Sequence, residues 1–529
     1  MTGQRGERRS WGVAAPHPSA VEAAAAQLSA GGTAVDGALA AAGVLAVVYP
    51  HNCSVGGDLI GLVRRAGELP RAVFGVGRSA SAIDVAALRR QFGEHVPATG
   101  PFSISVPGVV SGWQALHELG ASRPLARLLE PAIGLAAEGA PVTSSVARAL
   151  QALDTPDPGL DQIFGPPGSR LGAGGVFVQP HLAETLVQIG RDPEAYYRGE
   201  LARRLVRGLE AAGSPITLED FSRHHAVVGE PVTAHAGDVA PRLHTAGLPS
   251  QGPFFAGLAE LLAPLVADGY DLLGRDAALL ARAFEEISRI RDDLLCDPSR
   301  EAGTRARRER LAGIDLFGPA PSVGRAGPLA AGGTSPPSGD TVAVVVYDEH
   351  GGAVSMLQSV FHSFGSRFCD PATGVLYHNR QSMFTLRPGA CGELGPGLMP
   401  PHTLCPTMVD AEDGSLSLVL STMGGRSQPQ ILSQVLLQFV AKMSASEAVS
   451  APRFVVGDSE AVPPHRVVTV EQDLPADAMA SLLEGGFDVR IVGGRSEETG
   501  HAQVLRVGTS GVLDAGADPR SDGAARRSG

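Results

Sequence analysis

Residues 341–366 read TVAVVVYDEHGGAVSMLQSVFHSFGS. Two runs rich in β-branched residues flank Asp348-Glu349-His350-Gly351-Gly352, a pattern that predicts a β-hairpin. If Asp348 pairs with Gly352, Thr341 falls opposite Ser359 and both hydroxyls share one face at the open end of the hairpin. Such a cross-strand pair is common in ordinary sheets and carries no chemistry alone. The preceding residues 317–340, FGPAPSVGRAGPLAAGGTSPPSGD, hold six Gly and five Pro and predict a mobile linker. A threonine that opens a strand behind such a linker has a special option. Cleavage between Asp340 and Thr341 gives it an α-amine, of ordinary pKa about 7.7–8.0, beside its own hydroxyl. That amine can serve as the base that other hydrolases take from a His/Asp pair. No GxSxG nucleophile elbow competes with it. Met423-Gly424-Gly425, after the strand-like LSLVLST, can present backbone N–H groups to an oxyanion, although a Gly-Gly pair is usually a simple tight turn.

The chain has 529 residues, 43% apolar and 19% charged, which excludes wholesale disorder and allows a large core. Its net charge of −12 disfavours nucleic acid and anionic membrane as partners. Lys442 is the only lysine, a bias read as compositional. The five cysteines, at 53, 296, 369, 391 and 405, are odd in number and form no CxxC pair. They predict neither a disulfide framework nor a zinc site. MTGQRGERRSWGVAAPHP lacks the apolar core of a secretory signal. The longest apolar stretch, Gly37 to Tyr49, is 13 residues and too short to span a bilayer. The expectation is a soluble cytoplasmic protein that uses no metal or organic cofactor.

Residues 19–30 and 34–48 read as helices stopped by Gly31-Gly32 and Pro50. HNCSVGG (51–57) reads as a turn before the strand LIGLV. From about 101 to 315 the chain reads mostly as helices, with one long amphipathic helix over 278–295. Strands follow at 416–421 and 466–472, a helix at 430–442, and a disordered tail from about 513. Gly75–Ala80 matches GxGxxA, but no βαβ unit of the right length follows it. His51, Asn52 and Cys53 read as loop residues, since no second ligand cluster accompanies them.

The hairpin segment resembles the start of the small subunit of γ-glutamyltransferases (γ-glutamyltranspeptidases), which are self-processing N-terminal-nucleophile hydrolases. Residues 14–58, 103–120 (SISVPGVVSGWQALHELG), 207–224 (RGLEAAGSPITLEDFSRH) and 402–425 (HTLCPTMVDAEDGSLSLVLSTMGG) match the same family in order. The resemblance implies a four-layer αββα sandwich with a helix-rich N-terminal part. It implies autocleavage at Asp340–Thr341 into a large subunit (1–340) and a small one (341–529), joined as a heterodimer, alone or in a higher oligomer. By position, Thr341 matches the nucleophile, Ser359 a hydroxyl supporting its amine, Gly424 and Gly425 the oxyanion glycines, and Thr403 one of two substrate-binding serines.

The departures concern the substrate pocket. Met383 stands where the family has an acidic residue that holds the glutamyl amine. Arg380 replaces a glutamine, Phe361 an asparagine and His402 the other serine. The family's carboxylate-binding arginine aligns with Gly77, with Arg78 one place away. A methionine cannot pair an ammonium group, so glutathione is not the expected substrate. Arg380 can instead grip a carboxylate or keto acid through two N–H groups, a structural salt bridge being an equal reading. The resemblance therefore implies a hydrolase or acyltransferase acting on a small amide or acyl compound. One alternative is a C–C bond hydrolase on a diketo or oxalyl-type acid, as in relatives from alkylproline antibiotic pathways of secondary metabolism. Another is an unprocessed, non-catalytic homologue that binds a metabolite or a protein.

Overall fold

The strand Asp340–Tyr347 is apolar from Val342 onward because both of its faces are covered. Val342, Val344 and Val346 join one core with the helices Pro18–Ser29 and Ala34–Val48. Ala343, Val345 and Tyr347 join a second core, filled from the opposite side by Val419 and Leu505 of another sheet. A third core lies under that other sheet and takes in the helices Gly252–Ala267, Ala277–Leu294 and Gln428–Val440. Three cores separate four layers, helix, sheet, sheet, helix, which is the expected αββα sandwich. The computed structural model describes residues 10–154, 156–300, 304–317, 340–457, 466–508 and 513–528.

The first sheet runs in the order Ala524–Arg527, Gly12–Ala15, Asp340–Tyr347, Ala353–Phe361, Asp58–Arg64, Arg71–Gly75, Val227–Gly229. The second runs Leu513–Ala517, His501–Val507, Leu416–Met423, Thr407–Asp410, Ala240–Thr245, Val232–Ala236. Neighbours in both sheets are antiparallel. Each sheet mixes strands from before and after residue 340, so the two expected fragments share both sheets. Local signals place the elements accurately where they are strong. Thr33 caps the helix Ala34–Val48 by accepting from the Asp36 N–H, while the Asp36 carboxylate accepts from the Thr33 N–H.

Two expectations need correction. The stretch 227–245 is three strands, not helix. Its alternation is short, with only Ala234 and Ala236 buried along VTAHA, so it gives a weak apolar period. The tail is also ordered: Leu513–Ala517 and Ala524–Arg527 each pair with a strand. Two of its charges, Asp518 and Arg520, are buried and paired inside the protein. Arg520 donates to Glu471 (2.7 Å), Asp518 (3.0 Å) and the carbonyls of Val449 (2.9 Å) and Ala451 (2.8 Å), and Arg453 pairs with Asp518. The expected linker, apart from Phe317 and Asp340, lies outside the described residues.

Two stability predictions follow from the buried charges. Arg520→Met leaves Glu471 and Asp518 short of a partner and should lower the free energy of urea unfolding by about 3–5 kcal/mol. The second concerns six histidines, four buried and two, His224 and His362, half-buried. Burial is the first cause that pushes His17, His224 and His501 down to about 4 and His51, His362 and His402 down to about 3, from an ordinary 6.5. The unfolded chain therefore takes up protons first as pH falls below 6.5, and each histidine removes about 1.4 kcal/mol per pH unit. The thermal midpoint should fall steadily from about pH 6.5 to about pH 4, and a flat profile across that window contradicts these burials.

Candidate active site

The hairpin register follows the sequence expectation from Ala353↔Tyr347 to Gln358↔Val342, and then shifts so that Phe361 faces Asp340. This bulge sits at the open end of the hairpin, beside Thr341. Thr341 shares the inter-sheet face of Ala343 and Val345, and Ser359 that of Leu357. The two hydroxyls meet between the sheets, with Thr341 Oγ1 donating to Ser359 Oγ at 3.0 Å and both residues 1% exposed. Phe361, at φ 78°, turns its N–H back to the same oxygen at 2.9 Å. Asn52 Nδ2 donates to the Thr341 carbonyl at 3.4 Å.

A chain of hydrogen bonds leads outward from this pair. Arg380 NH2 donates to Ser359 Oγ (3.3 Å), and Arg380 NH1 to Thr403 Oγ1 (3.2 Å). Gln251 Nε2 then donates to the carbonyls of Thr403 (2.6 Å) and Gly425 (2.9 Å). Thr341, Ser359, Arg380, Thr403 and the Gly424-Gly425 turn are thus held in one network. Gly424 has φ 145°, a backbone conformation that favours glycine, and a Cβ there would also press on the Ile431 side chain, 2.2 Å from Cδ1.

Arg380 is fully buried and lies 4.2 Å from the Phe361 ring centre, a cation–π contact. Burial lowers its pKa to about 9 while Asp58 opposes that fall, so it stays charged at neutral pH. Asp58 was missed in the sequence. Its Oδ2 lies 3.2 Å from His378 Nδ1, 3.4 Å from His402 Nε2 and 4.0 Å from Arg380 Nε. Burial works against its ionisation, but His378 and His402 outweigh it and hold the carboxyl well below the usual range. His402 is buried behind the network and pushed down to about 3 by burial and by Arg380, so it is neutral.

Met383 lines a cavity of about 1450 Å³ together with Gln251, Thr403 and Arg426. Arg78 is not brought to this group: it is half exposed, 3.5 Å from Asp297, and donates to the Gly397 carbonyl at 2.9 Å. Asn52, Asp58, Gln251 and His378 were not legible as site residues. The one available signal was Asp58, a charge directly after two glycines and before the apolar run Leu59–Val63. Among the described residues no group of three or more His, Cys, Asp or Glu is placed to hold a metal, and no helix is long and apolar enough to cross a membrane.

Comparison with known proteins gives this geometry a context. The family description Gamma-glutamyltranspeptidase matches residues 20–528. The chain is 35% identical to the oxamate amidohydrolase proenzyme of Klebsiella pneumoniae subsp. pneumoniae, with 97% of each chain covered. It is 32% identical to the glutathione hydrolase-like YwrD proenzyme of Bacillus subtilis, again over 97% of each. Among solved structures, the cephalosporin acylase of Bacillus halodurans superposes with a TM-score of 0.85 at 26% identity, covering 99% of this chain and 97% of that one. The chain belongs to the gamma-glutamyltranspeptidase family, as a hydrolase or acyl-transfer enzyme of the N-terminal-nucleophile type.

Proposed function

We propose that the chain cuts itself between Asp340 and Thr341 and then hydrolyses a small amide whose acyl part carries a carboxylate beside the scissile carbonyl, as oxamate does. The observation that carries this is the place of Arg380. Its guanidinium donates to Ser359 Oγ at 3.3 Å, and that oxygen accepts from Thr341 Oγ1 at 3.0 Å. An anion paired with Arg380 is therefore close to the attacking oxygen, which suits a short acyl chain better than a γ-glutamyl group. The oxamate amidohydrolase relative supports the same substrate class.

In the first phase Thr341 Oγ1 attacks the Asp340 carbonyl, an N→O acyl shift follows, and water resolves the ester. The freed amine then takes the hydroxyl proton as Thr341 attacks the substrate amide. The nearby positive charge of Arg380 keeps that amine neutral and thus basic. The N–H groups of Gly424 and Gly425 stabilise the oxyanion, ammonia or an amine leaves, and water releases the acid. The product is a heterodimer of residues 1–340 and 341–529.

A denaturing gel should show these two fragments, the smaller beginning TVAVVV, and Thr341→Ala should give one uncut band without amidase activity. Cutting at that bond in the variant would refute the scheme. Ammonia release should be faster from oxamate than from a γ-glutamyl anilide, and Arg380→Gln should raise the KM for oxamate about tenfold to a hundredfold, the loss of charge-assisted hydrogen bonds. Cleavage of a diketo acid without oxamate turnover would favour the C–C hydrolase alternative instead.

A further inference from the structure

The turn Gly424–Ser427 closes on itself through one bond, from the Ser427 N–H to the Gly424 carbonyl at 2.8 Å. Its two glycines have φ 145° and 51°, where the backbone lacks the restraint that a side chain supplies. A peptide plane carries its N–H and C=O on opposite sides, so turning a carbonyl re-aims the N–H of the same plane. Two glycine N–H groups stay aimed at one point only if the planes around them are held.

Two side chains from before residue 340 hold them. Gln251 is fully buried at the start of the helix Gly252–Ala267, and its backbone N–H donates to the His402 carbonyl at 2.9 Å. Its Nε2 donates to the carbonyls of Thr403 (2.6 Å) and Gly425 (2.9 Å), which uses both amide protons. Arg291, near the end of the helix Ala277–Leu294, donates through NH1 to the Arg426 carbonyl (2.8 Å) and to Gln251 Oε1 (3.5 Å). These partners decide which way the Gln251 amide lies. Carbonyls only accept and a guanidinium only donates, so a flipped amide would set its oxygen against two oxygens. Asp292 closes the arrangement, accepting from Arg291 NH2 at 2.9 Å and from Arg426 NH1 at 3.0 Å. The carbonyls of Gly424, Gly425 and Arg426 thus have three separate donors: Ser427, Gln251 and Arg291.

We propose that Gln251, seated by Arg291, is a positioning residue for acyl transfer: it holds the glycine turn so that the Gly424 and Gly425 N–H groups meet the oxyanion. The same carboxamide holds the Thr403 carbonyl, and Thr403 Oγ1 accepts from Arg380 NH1 at 3.2 Å. One side chain therefore sets the spacing between the glycine turn and the Arg380 side of the site. An error of about 1 Å in such spacing costs about a hundredfold in rate. The catalytic half of the proposal rests on the reading above that these N–H groups face the oxyanion, while the holding of the turn stands apart from it.

Gln251→Met keeps the length of the side chain and removes its donors. Its crystal structure should show the Gly425–Arg426 peptide displaced or turned over, and a turn left in place overturns the proposal whatever the substrate is. In kinetics on whichever of oxamate and γ-glutamyl anilide the wild type hydrolyses faster, kcat should fall about tenfold to a hundredfold while KM stays within about twofold. A raised KM with unchanged kcat overturns the positioning role, since the side chain would then serve substrate binding alone. A displaced turn with unchanged kcat refutes the oxyanion assignment of Gly424 and Gly425 and leaves the holding of the turn standing. A variant that stays uncut at Asp340–Thr341 is judged on its structure in the same way. Should Gln251→Met not fold, Arg291→Met carries the test, because it removes the donor to the Arg426 carbonyl and the partner of Gln251 Oε1 together.

Discussion

Everything at the site depends on the double burial of one strand. Asp340–Tyr347 is covered by helices on one face and by a second sheet on the other, so each of its residues faces a definite layer. Because side chains alternate, the register puts Thr341 between the sheets and not under the helices. A slip of one residue would bury the hydroxyl in the helical core, away from Ser359. The bulge after Gln358 adds the second constraint, since it turns the Phe361 N–H onto the Ser359 hydroxyl and holds that oxygen toward Thr341.

Placing polar chemistry between two sheets creates an electrostatic problem, which the structure meets with a small network. Arg380 is buried beside the Thr341–Ser359 pair, stacked on Phe361 and hydrogen bonded to Ser359 and Thr403. Gln251, from the other side of the sandwich, ties Thr403 to the glycine turn. Asp58 supplies the countercharge from the neighbouring strand, and its own N–H donor from Gly77 at 3.2 Å fixes its second oxygen. As the resemblance aligns them, Met383 in place of an acid and Arg380 in place of a glutamine shift the polarity of this region in the same direction.

The same principle of internal neutralisation holds the far end of the chain. Asp518 and Arg520 lie in a stretch that looks solvated by composition, yet they close a buried ionic cluster with Glu471 and Arg453. This anchors the last two strands onto both sheets, one beside His501–Val507 and one beside Gly12–Ala15. The edge strands complete a sandwich in which both sheets draw strands from before and after residue 340.

The sequence by itself determined the hairpin, its register, the meeting of Thr341 with Ser359, the helices at 19–30 and 34–48, and, through resemblance, the αββα layers. These depend on local turn chemistry, apolar period and ordered motifs, all written within a few dozen residues. Tertiary structure alone decided that Asp58, His378, Gln251 and Asn52 converge on the Thr341–Ser359 pair, that Arg78 turns away to Asp297, and that Asp518 and Arg520 of the polar tail are buried. Those outcomes rest on contacts between segments up to hundreds of residues apart. A charged side chain is read from sequence as solvated, and only its distant partner shows that it is buried.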